Sequence, residues 1–368
     1  MLEICVEYCR ARQQRLLTEM QRLRLDAVVV MLPEHVQWLC GTRFTWHHAP
    51  LAALLADGRA ILIAPNKIPP IAAADDVRTY EANSTSTLRN DQRAKSCAVL
   101  VDALRASGHE LKRIGAEFSC VSRHLTEALA AEFVDVEPTL YELRRFKHPD
   151  ELARLKKAIA GTGAMYARAR EIVEPGINEL TVFNELQAAA VNEYGEMLTG
   201  TGNDYASGLH GGFPRNRSAE AGELYILDLG PAYRGFFADN CRVICVGGQP
   251  TDRQYAAWKT IADTFPMLEP MIKPGVRART VYERAKELIG AFPGGTWKSH
   301  LGHGIGLFPH EAPHLNPNWD DTFQAGEVFA MEPAVYADEE LKQGIRLENN
   351  YLVTDTGVEL LSPFPMEL

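Results

Sequence analysis

Two aspartates on consecutive strand-like runs constrain this chain more than any other feature. Tyr225-Ile-Leu-Asp-Leu-Gly-Pro-Ala-Tyr-Arg-Gly-Phe-Phe-Ala-Asp239 reads as an apolar strand and a turn bounded by Gly230 and Gly235. Cys241-Arg-Val-Ile-Cys-Val246 then reads as the returning strand of a β-hairpin. Asp228 interrupts the first strand and Asp239 the second. A lone carboxylate taken out of water costs on the order of several kcal/mol unless something compensates it, and two on paired strands repel each other. Arg242 or Arg234 could neutralise one of them, whereas a divalent cation held between them would neutralise both. The hairpin alone leaves both solutions open.

The length of 368 residues suits two domains of ordinary size, and 46% hydrophobic with 23% charged residues is the composition of an ordered globular chain. A net charge of −10 with no basic run argues against nucleic acid or an anionic membrane as partner. Seven cysteines form no Cys-x-x-Cys pair, a usage typical of the reducing cytosol. The N-terminal stretch is broken by charge every few residues and does not read as a signal peptide. The most apolar run, residues 49–65, is split by Asp57-Gly58-Arg59 and reads as a hairpin, not a membrane span. These features lead to the expectation of a cytoplasmic protein.

In chain order, a helix is expected over residues 6–24, a strand over 27–32, a short helix over 34–40, the hairpin over 49–65, and polar loop to about 94. A segment at 97–107, a strand at 113–117, a helix at 122–133 and a strand at 134–136 complete an alternating α/β pattern. His47-His48 is the nearest approach to a ligand cluster there and reads as a solvated loop. Arg144-Arg-Phe-Lys-His-Pro149 marks a boundary, giving domains 1–143 and 144–368, and Asp150 is the expected cap of the next helix.

The second domain carries a weak internal repeat. Pro175-Gly176 and Pro274-Gly275 lie 99 positions apart, each between two helical patterns and upstream of two isolated acids. The first half supplies Asp228 and Asp239, the second Glu332 and Glu348. His303 stands in Leu301-Gly-His-Gly-Ile-Gly-Leu-Phe-Pro-His310, with glycines on both sides that let the backbone approach something closely. Four carboxylates and one imidazole exceed what one tetrahedral zinc needs and suit two divalent ions about 3–4 Å apart. Such ligands favour hard ions, manganese first, with cobalt, zinc or iron accommodated.

The order Asp, Asp, His, Glu, Glu, with Leu227-Asp-Leu-Gly230, Gly302-His-Gly-Ile-Gly306, Met331-Glu-Pro333 and Ile345-Arg-Leu-Glu-Asn349, resembles the pita-bread metallopeptidases. That family includes Xaa-Pro dipeptidase (prolidase), aminopeptidase P and methionine aminopeptidase. The likeness covers about residues 144–368. Glu34-His-Val-Gln-Trp-Leu-Cys-Gly41 resembles, more weakly, the N-terminal domain of the prolidase and aminopeptidase P branch. The resemblance implies an α/β (α+β) chain: a creatinase/prolidase-like α/β domain, then a pseudo-twofold pita-bread domain.

It also implies roles. Asp228 would bind one metal, Asp239 and Glu348 would bridge both, and His303 and Glu332 would complete the other ion. A hydroxide bridging the two would attack the scissile carbonyl, with Glu332 relaying its proton to the departing amine. His210 and His310 match family positions that hydrogen-bond the substrate, and Arg346 would hold the substrate end or orient the ligands. The chain departs from the family at two positions. The histidine usual four residues before the metal histidine is replaced by Ser299, with His300 only three before, and Cys241 stands where Thr or Ser is common. The reading is therefore a peptidase acting on small Xaa-Pro peptides as a homodimer. The dipeptidase is favoured, with aminopeptidase P or a small-molecule C–N hydrolase as alternatives and a non-catalytic binding protein least favoured.

Overall fold

The structure is a computed structural model that describes residues 4–368, apart from 203, 295–296, 298–299, 337–340 and 342–343. The chain divides into two compact units, Met1–Arg144 and Arg145–Leu368.

The first unit is built on a mixed sheet. Its elements are α1 (Val6–Leu23), β1 (Ala27–Val30), α2 (Pro33–Cys40), β2 (Leu51–Leu55), β3 (Ala60–Pro65), β4 (Asp76–Tyr80), β5 (Asn83–Ser84) and β6 (Thr87–Leu88). There follow α3 (Gln92–Ala106), β7 (Arg113–Ala116), α4 (Arg123–Thr126) and β8 (Glu132–Asp135), and α5 (Glu137–Arg145) leads out. The sheet order is β4-β3-β2-β1-β7-β8, with the central strands apolar and buried on both faces. The expected 49–65 hairpin is present as β2 and β3, with Gly58 at φ 89° supplying the turn. Two expectations differ. The polar stretch before residue 94 contains β4, an edge strand too polar to read as one, and the helix expected over 122–133 shrinks to the single turn of α4. His47 stays exposed in a loop.

The second unit begins with α6 (Pro149–Ile172). Its cap is His148, whose N–H is received by Glu151 (3.0 Å), with Pro149 in the first turn; Asp150 lies inside that turn, where the helix dipole favours an acid. Then come α7 (Glu179–Tyr194), β9 (Leu224–Leu229), β10 (Ala232–Tyr233), β11 (Phe236–Phe237), β12 (Asn240–Cys245), α8 (Asp252–Leu268) and α9 (Ala278–Gly290). The chain closes with β13 (Gly302–Gly304), β14 (Glu311–Leu315), β15 (Val328–Met331), β16 (Ala334–Val335), β17 (Ile345–Arg346), β18 (Asn349–Val353) and β19 (Val358–Leu360).

The repeat is visible in main-chain hydrogen bonds. In the first half Gly176 N–H donates to Ala219, Ala219 N–H to Ile177 and Glu179 N–H to Arg217. In the second half Gly275 N–H donates to Phe323, Phe323 N–H to Val276 and Ala278 N–H to Asp321. Gly176 (φ 93°) and Gly275 (φ 88°) both adopt the left-handed conformation that glycine alone takes cheaply, so each Pro-Gly pair is the same turn into the same helix start. Helices α6 and α7 cover one half and α8 and α9 the other. Among the described residues no helix is long and apolar enough to cross a membrane.

One buried acid fixes the long loop between α7 and β9. Glu179 is fully buried and receives the N–H groups of Ser207 (3.1 Å) and Arg215 (2.8 Å) together with the Arg215 guanidinium. Because the Arg215 side chain is itself 38% exposed, the ion pair is screened and the two backbone amides, that of Ser207 buried and that of Arg215 half-buried, carry most of the effect. Glu179→Ala should therefore lower stability by about 1–3 kcal/mol, read by urea denaturation; a loss below about 0.5 kcal/mol, the range of ordinary surface changes, would show that the loop does not depend on it.

Candidate metal centre

The strands β9 and β12 pair antiparallel with Asp228 opposite Cys241. Asp239 does not lie within the second strand as expected, but one residue before it. The connection is a hairpin of its own, β10 and β11, closed by Arg234 and Gly235, both at positive φ (50° and 88°), the signature of a type I′ turn. Arg234 pairs with Glu196 (2.7 Å). Arg242 donates to Asn349 Oδ1 (2.9 Å) and to the carbonyls of Glu348, Phe364 and Pro365. The guanidinium beside Asp228 is instead that of Arg346, at 2.7 Å.

Hydrogen bonds tie the second half to the hairpin, Glu348 N–H to Cys241 O (3.0 Å) and the Asn350 side-chain amide to Asp239 O, while Glu332 N–H donates within its own half to Leu301 O (2.8 Å). The glycines around His303 are explained by strand packing. A Cβ on Gly302 would lie 2.0 Å from Ala330 O, and one on Gly304 would lie 2.1 Å from Ala312 O. What the backbone approaches so closely is its neighbours β15 and β14.

The result is a cavity of about 390 Å³ lined by Asp204, Asp228, Asp239, His300, His303, His310, Glu332, Arg346 and Glu348, with Phe237 and Pro309 as apolar wall. Ligand-type atoms of Asp228, Asp239 and Glu348 lie within 4.8 Å of one another, as do those of His300, His303 and Glu332, and those of Asp239, His303 and His310. His310 stacks face to face on His303 at 3.6 Å. His210 is exposed and does not line the cavity; its ring packs on Tyr336 at 5.1 Å and its carbonyl receives Arg346 (3.4 Å). Cys241 is buried, and Ser299 lies outside the described residues.

Two residues of this network had no assigned role in the sequence reading. Asp204 pairs with Arg346 and receives Gly212 N–H (2.7 Å), and the Tyr336 hydroxyl receives Arg346 (2.8 Å). Asp204 carried only the composition of a turn, and Tyr336 only its place four residues after Glu332. Arg346 is thus engaged by two carboxylates and a phenol.

Electrostatically the cluster is a conflict. Burial first, and neighbouring carboxylates next, push Asp239 and Glu348 well above the usual carboxylate range. Burial likewise lifts Asp228 to about 6, with Arg346 opposing. What surface the two aspartates keep, 20% and 16% of the side chain, opens into the cavity. For Glu332 burial also pushes upward, but the His300 hydrogen bond and the charges of His300, His303 and Arg346 hold it below its ordinary value. Burial lowers His303 to about 4.

Three features fit divalent cations. Both Glu348 carboxylate oxygens are buried with no hydrogen-bond partner among the described residues. His303 Nδ1 faces Gly304 O at 3.0 Å, so that nitrogen carries the proton. The bare Nε2 therefore faces Asp239 and Glu332 oxygens, each at 3.5 Å. Acceptors aimed at acceptors repel, and a cation among them turns repulsion into ligation.

A two-unit α/β chain whose second unit gathers buried acids and imidazoles in one cavity has the build of a metal-dependent hydrolase. Residues 153–355 match Metallopeptidase family M24, and residues 12–146 match the Creatinase/Prolidase N-terminal domain. The chain is 29% identical over 244 residues to the uncharacterized peptidase YqhT of Bacillus subtilis (strain 168), covering 65% of this chain and 68% of that protein. It superposes on the Xaa-Pro dipeptidase from Bacillus anthracis with a TM-score of 0.84 at 22% identity, covering 98% of this chain and 99% of that one. It also superposes on the X-Pro aminopeptidase from Thermotoga maritima MSB8 with a TM-score of 0.79 at 21% identity, covering 97% and 98%. The chain belongs to metallopeptidase family M24, with the creatinase/prolidase-type N-terminal domain.

The raised carboxylates set a pH signature. In the folded, metal-free protein they bind protons that the unfolded chain has already released, so metal-free stability falls as pH rises from about 4 through 6 and beyond. A bound cation needs them ionised and removes that penalty. The gain in Tm on adding manganese to chelator-treated protein should therefore grow from about pH 5.5 to 7.5, as Asp228, lifted to about 6, and then Asp239 and Glu348, lifted further, release their protons in the metal-free fold. A gain that is flat over that span would mean these carboxylates are not the ones that receive the ion.

Proposed function

We propose that this chain is an exopeptidase that hydrolyses Xaa-Pro bonds, of the Xaa-Pro dipeptidase type, and that it works with two divalent ions. The observation that carries the reading is the pair of partnerless, buried Glu348 oxygens beside Asp228 and Asp239, in a cavity shared with His303, whose lone pair points at Asp239 and Glu332. In this reading Asp228 would help hold one ion, His303 and Glu332 would help hold the other, and Asp239 and Glu348 would serve both. When bound, such ions supply Lewis acidity that lowers the pKa of a water and polarises a carbonyl. The carboxylate-rich donor set favours manganese.

The chain's own groups do the rest. Glu332, kept ionised by its histidine neighbours, accepts a proton and returns it to the departing amine. His310, which burial keeps neutral near pH 7, offers an N–H to the substrate. Arg346 holds Asp228 in place while Asp204 and Tyr336 hold Arg346. Phe237 and Pro309 give a proline ring an apolar wall, and a cavity of about 390 Å³ suits a short peptide rather than a folded chain. The named activities of the structural relatives support Xaa-Pro substrates, and the aminopeptidase likeness keeps aminopeptidase P as the second reading. Seven free cysteines support a reducing compartment, the cytoplasm, and the family resemblance supports a homodimer.

Manganese-loaded protein offered an Xaa-Pro dipeptide, a longer Xaa-Pro peptide and a non-proline control should cleave the dipeptide. Cleavage of the longer peptide alone would assign aminopeptidase P, and cleavage of none with metal bound would sink the Xaa-Pro reading. Asp239→Asn and Glu348→Gln should each reduce kcat/KM at least about 100-fold and lower bound metal below two ions per chain, measured by elemental analysis. Full activity in either variant would remove that residue from the centre.

A further inference from the structure

Sequence spacing makes His300 an odd neighbour for His303. Side chains three apart on a regular strand point to opposite faces. A bend at Leu301, followed by Gly302 at φ 154°, cancels that alternation just before β13. The two rings consequently stack at 5.4 Å with 25° between their planes.

Both rings aim the same atom at the same oxygen. His300 Nε2 lies 2.9 Å from Glu332 Oε1, and His303 Nε2 lies 3.5 Å from that oxygen. Ligand atoms of the three residues lie within 4.8 Å of one another. The His300 side chain is 30% exposed, so it borders the cavity and can exchange a hydrogen bond for a ligand bond without a core rearrangement.

We propose that His300 is itself a metal ligand, so that His300, His303 and Glu332 form one metal position beside the all-carboxylate position of Asp228, Asp239 and Glu348. This inference rests on the two-ion reading and adds a ligand to it. The two positions then differ in chemistry. Three carboxylates make a hard site suited to manganese or magnesium, whereas two imidazoles and one carboxylate make a nitrogen-rich site suited to zinc, cobalt or iron. The centre is asymmetric by ligand type, and a mixed pair of ions is its natural filling. Without metal, the His300 N–H donates to Glu332 and holds that carboxylate toward the His303 lone pair.

The test uses chelator-stripped full-length protein titrated with cobalt(II), followed by calorimetry and by visible absorption. The wild type should take up two ions of unequal affinity. In His300→Ala and His300→Gln one of the two should weaken by about 10- to 100-fold with a changed absorption band, while the other stays as it was. X-ray absorption of the zinc-loaded wild type, which does not depend on any variant folding, should show scattering from two imidazoles per pair of ions. Two unchanged affinities and an unchanged spectrum in both variants would overturn the assignment, leaving His300 a hydrogen-bond donor to Glu332. One imidazole per pair, or the same selective loss in His310→Ala with none in the His300 variants, would overturn it as well. Fewer than two ions bound by the wild type would overturn the two-ion reading along with it, whereas failure confined to the His300 variants overturns this inference alone.

Discussion

A carboxylate with nothing to bond to is the constraint on which the rest of the second unit turns. Glu348 is buried, both of its oxygens lack a hydrogen-bond partner among the described residues, and its neighbours Asp228 and Asp239 carry like charge. No arrangement of apolar packing relieves this. It can be relieved by protonation, which is what the raised carboxylate pKa values express, or by cations. The fold tolerates the conflict because the surrounding cores are apolar and closed. One runs through Leu224, Ile226, Val243, Phe329 and Tyr351, and another through Tyr166, Leu186, Tyr205 and Leu227. Arg346, with Asp204 and Tyr336 around it, offsets only part of the charge.

The acids were legible in the sequence because each breaks or ends a strand-like run. Asp228 interrupts Tyr225–Leu229, Glu332 follows Val328–Met331, and Glu348 follows Ile345–Leu347. Burial converts such an interruption into a demand for a partner, and this needs only local sequence to see. The repeat was legible through one turn type, because Pro-Gly with glycine at positive φ is a strong local signal.

What stayed hidden depends on contacts far apart in the chain. Arg346 was expected to act on substrate or ligands, but its pairing with Asp204 arises only because the loop after α7 folds back under Glu179. Neither Arg234 nor Arg242 neutralises the aspartates in the way their proximity in sequence suggested, because a two-residue turn and the C-terminal segment claim them. The displacement of Asp239 to the edge of β12 follows from an inserted hairpin that a single apolar run cannot reveal. In the first unit, β4 went unread because Asp76–Tyr80 is an edge strand with only Tyr80 fully buried.

The contacts that seat Asp239 and Glu348 are made by the main chain at those positions: Asn350 holds the Asp239 carbonyl, and the Glu348 amide donates to the Cys241 carbonyl. Neither bond uses the Asp239 or Glu348 side chain, although the first is donated by the Asn350 side-chain amide. The frame that joins the two halves is therefore separable from the chemistry mounted on it. A lineage carrying this frame can exchange ligands, lose a metal or take up a new substrate by changing single side chains, without having to solve the fold again.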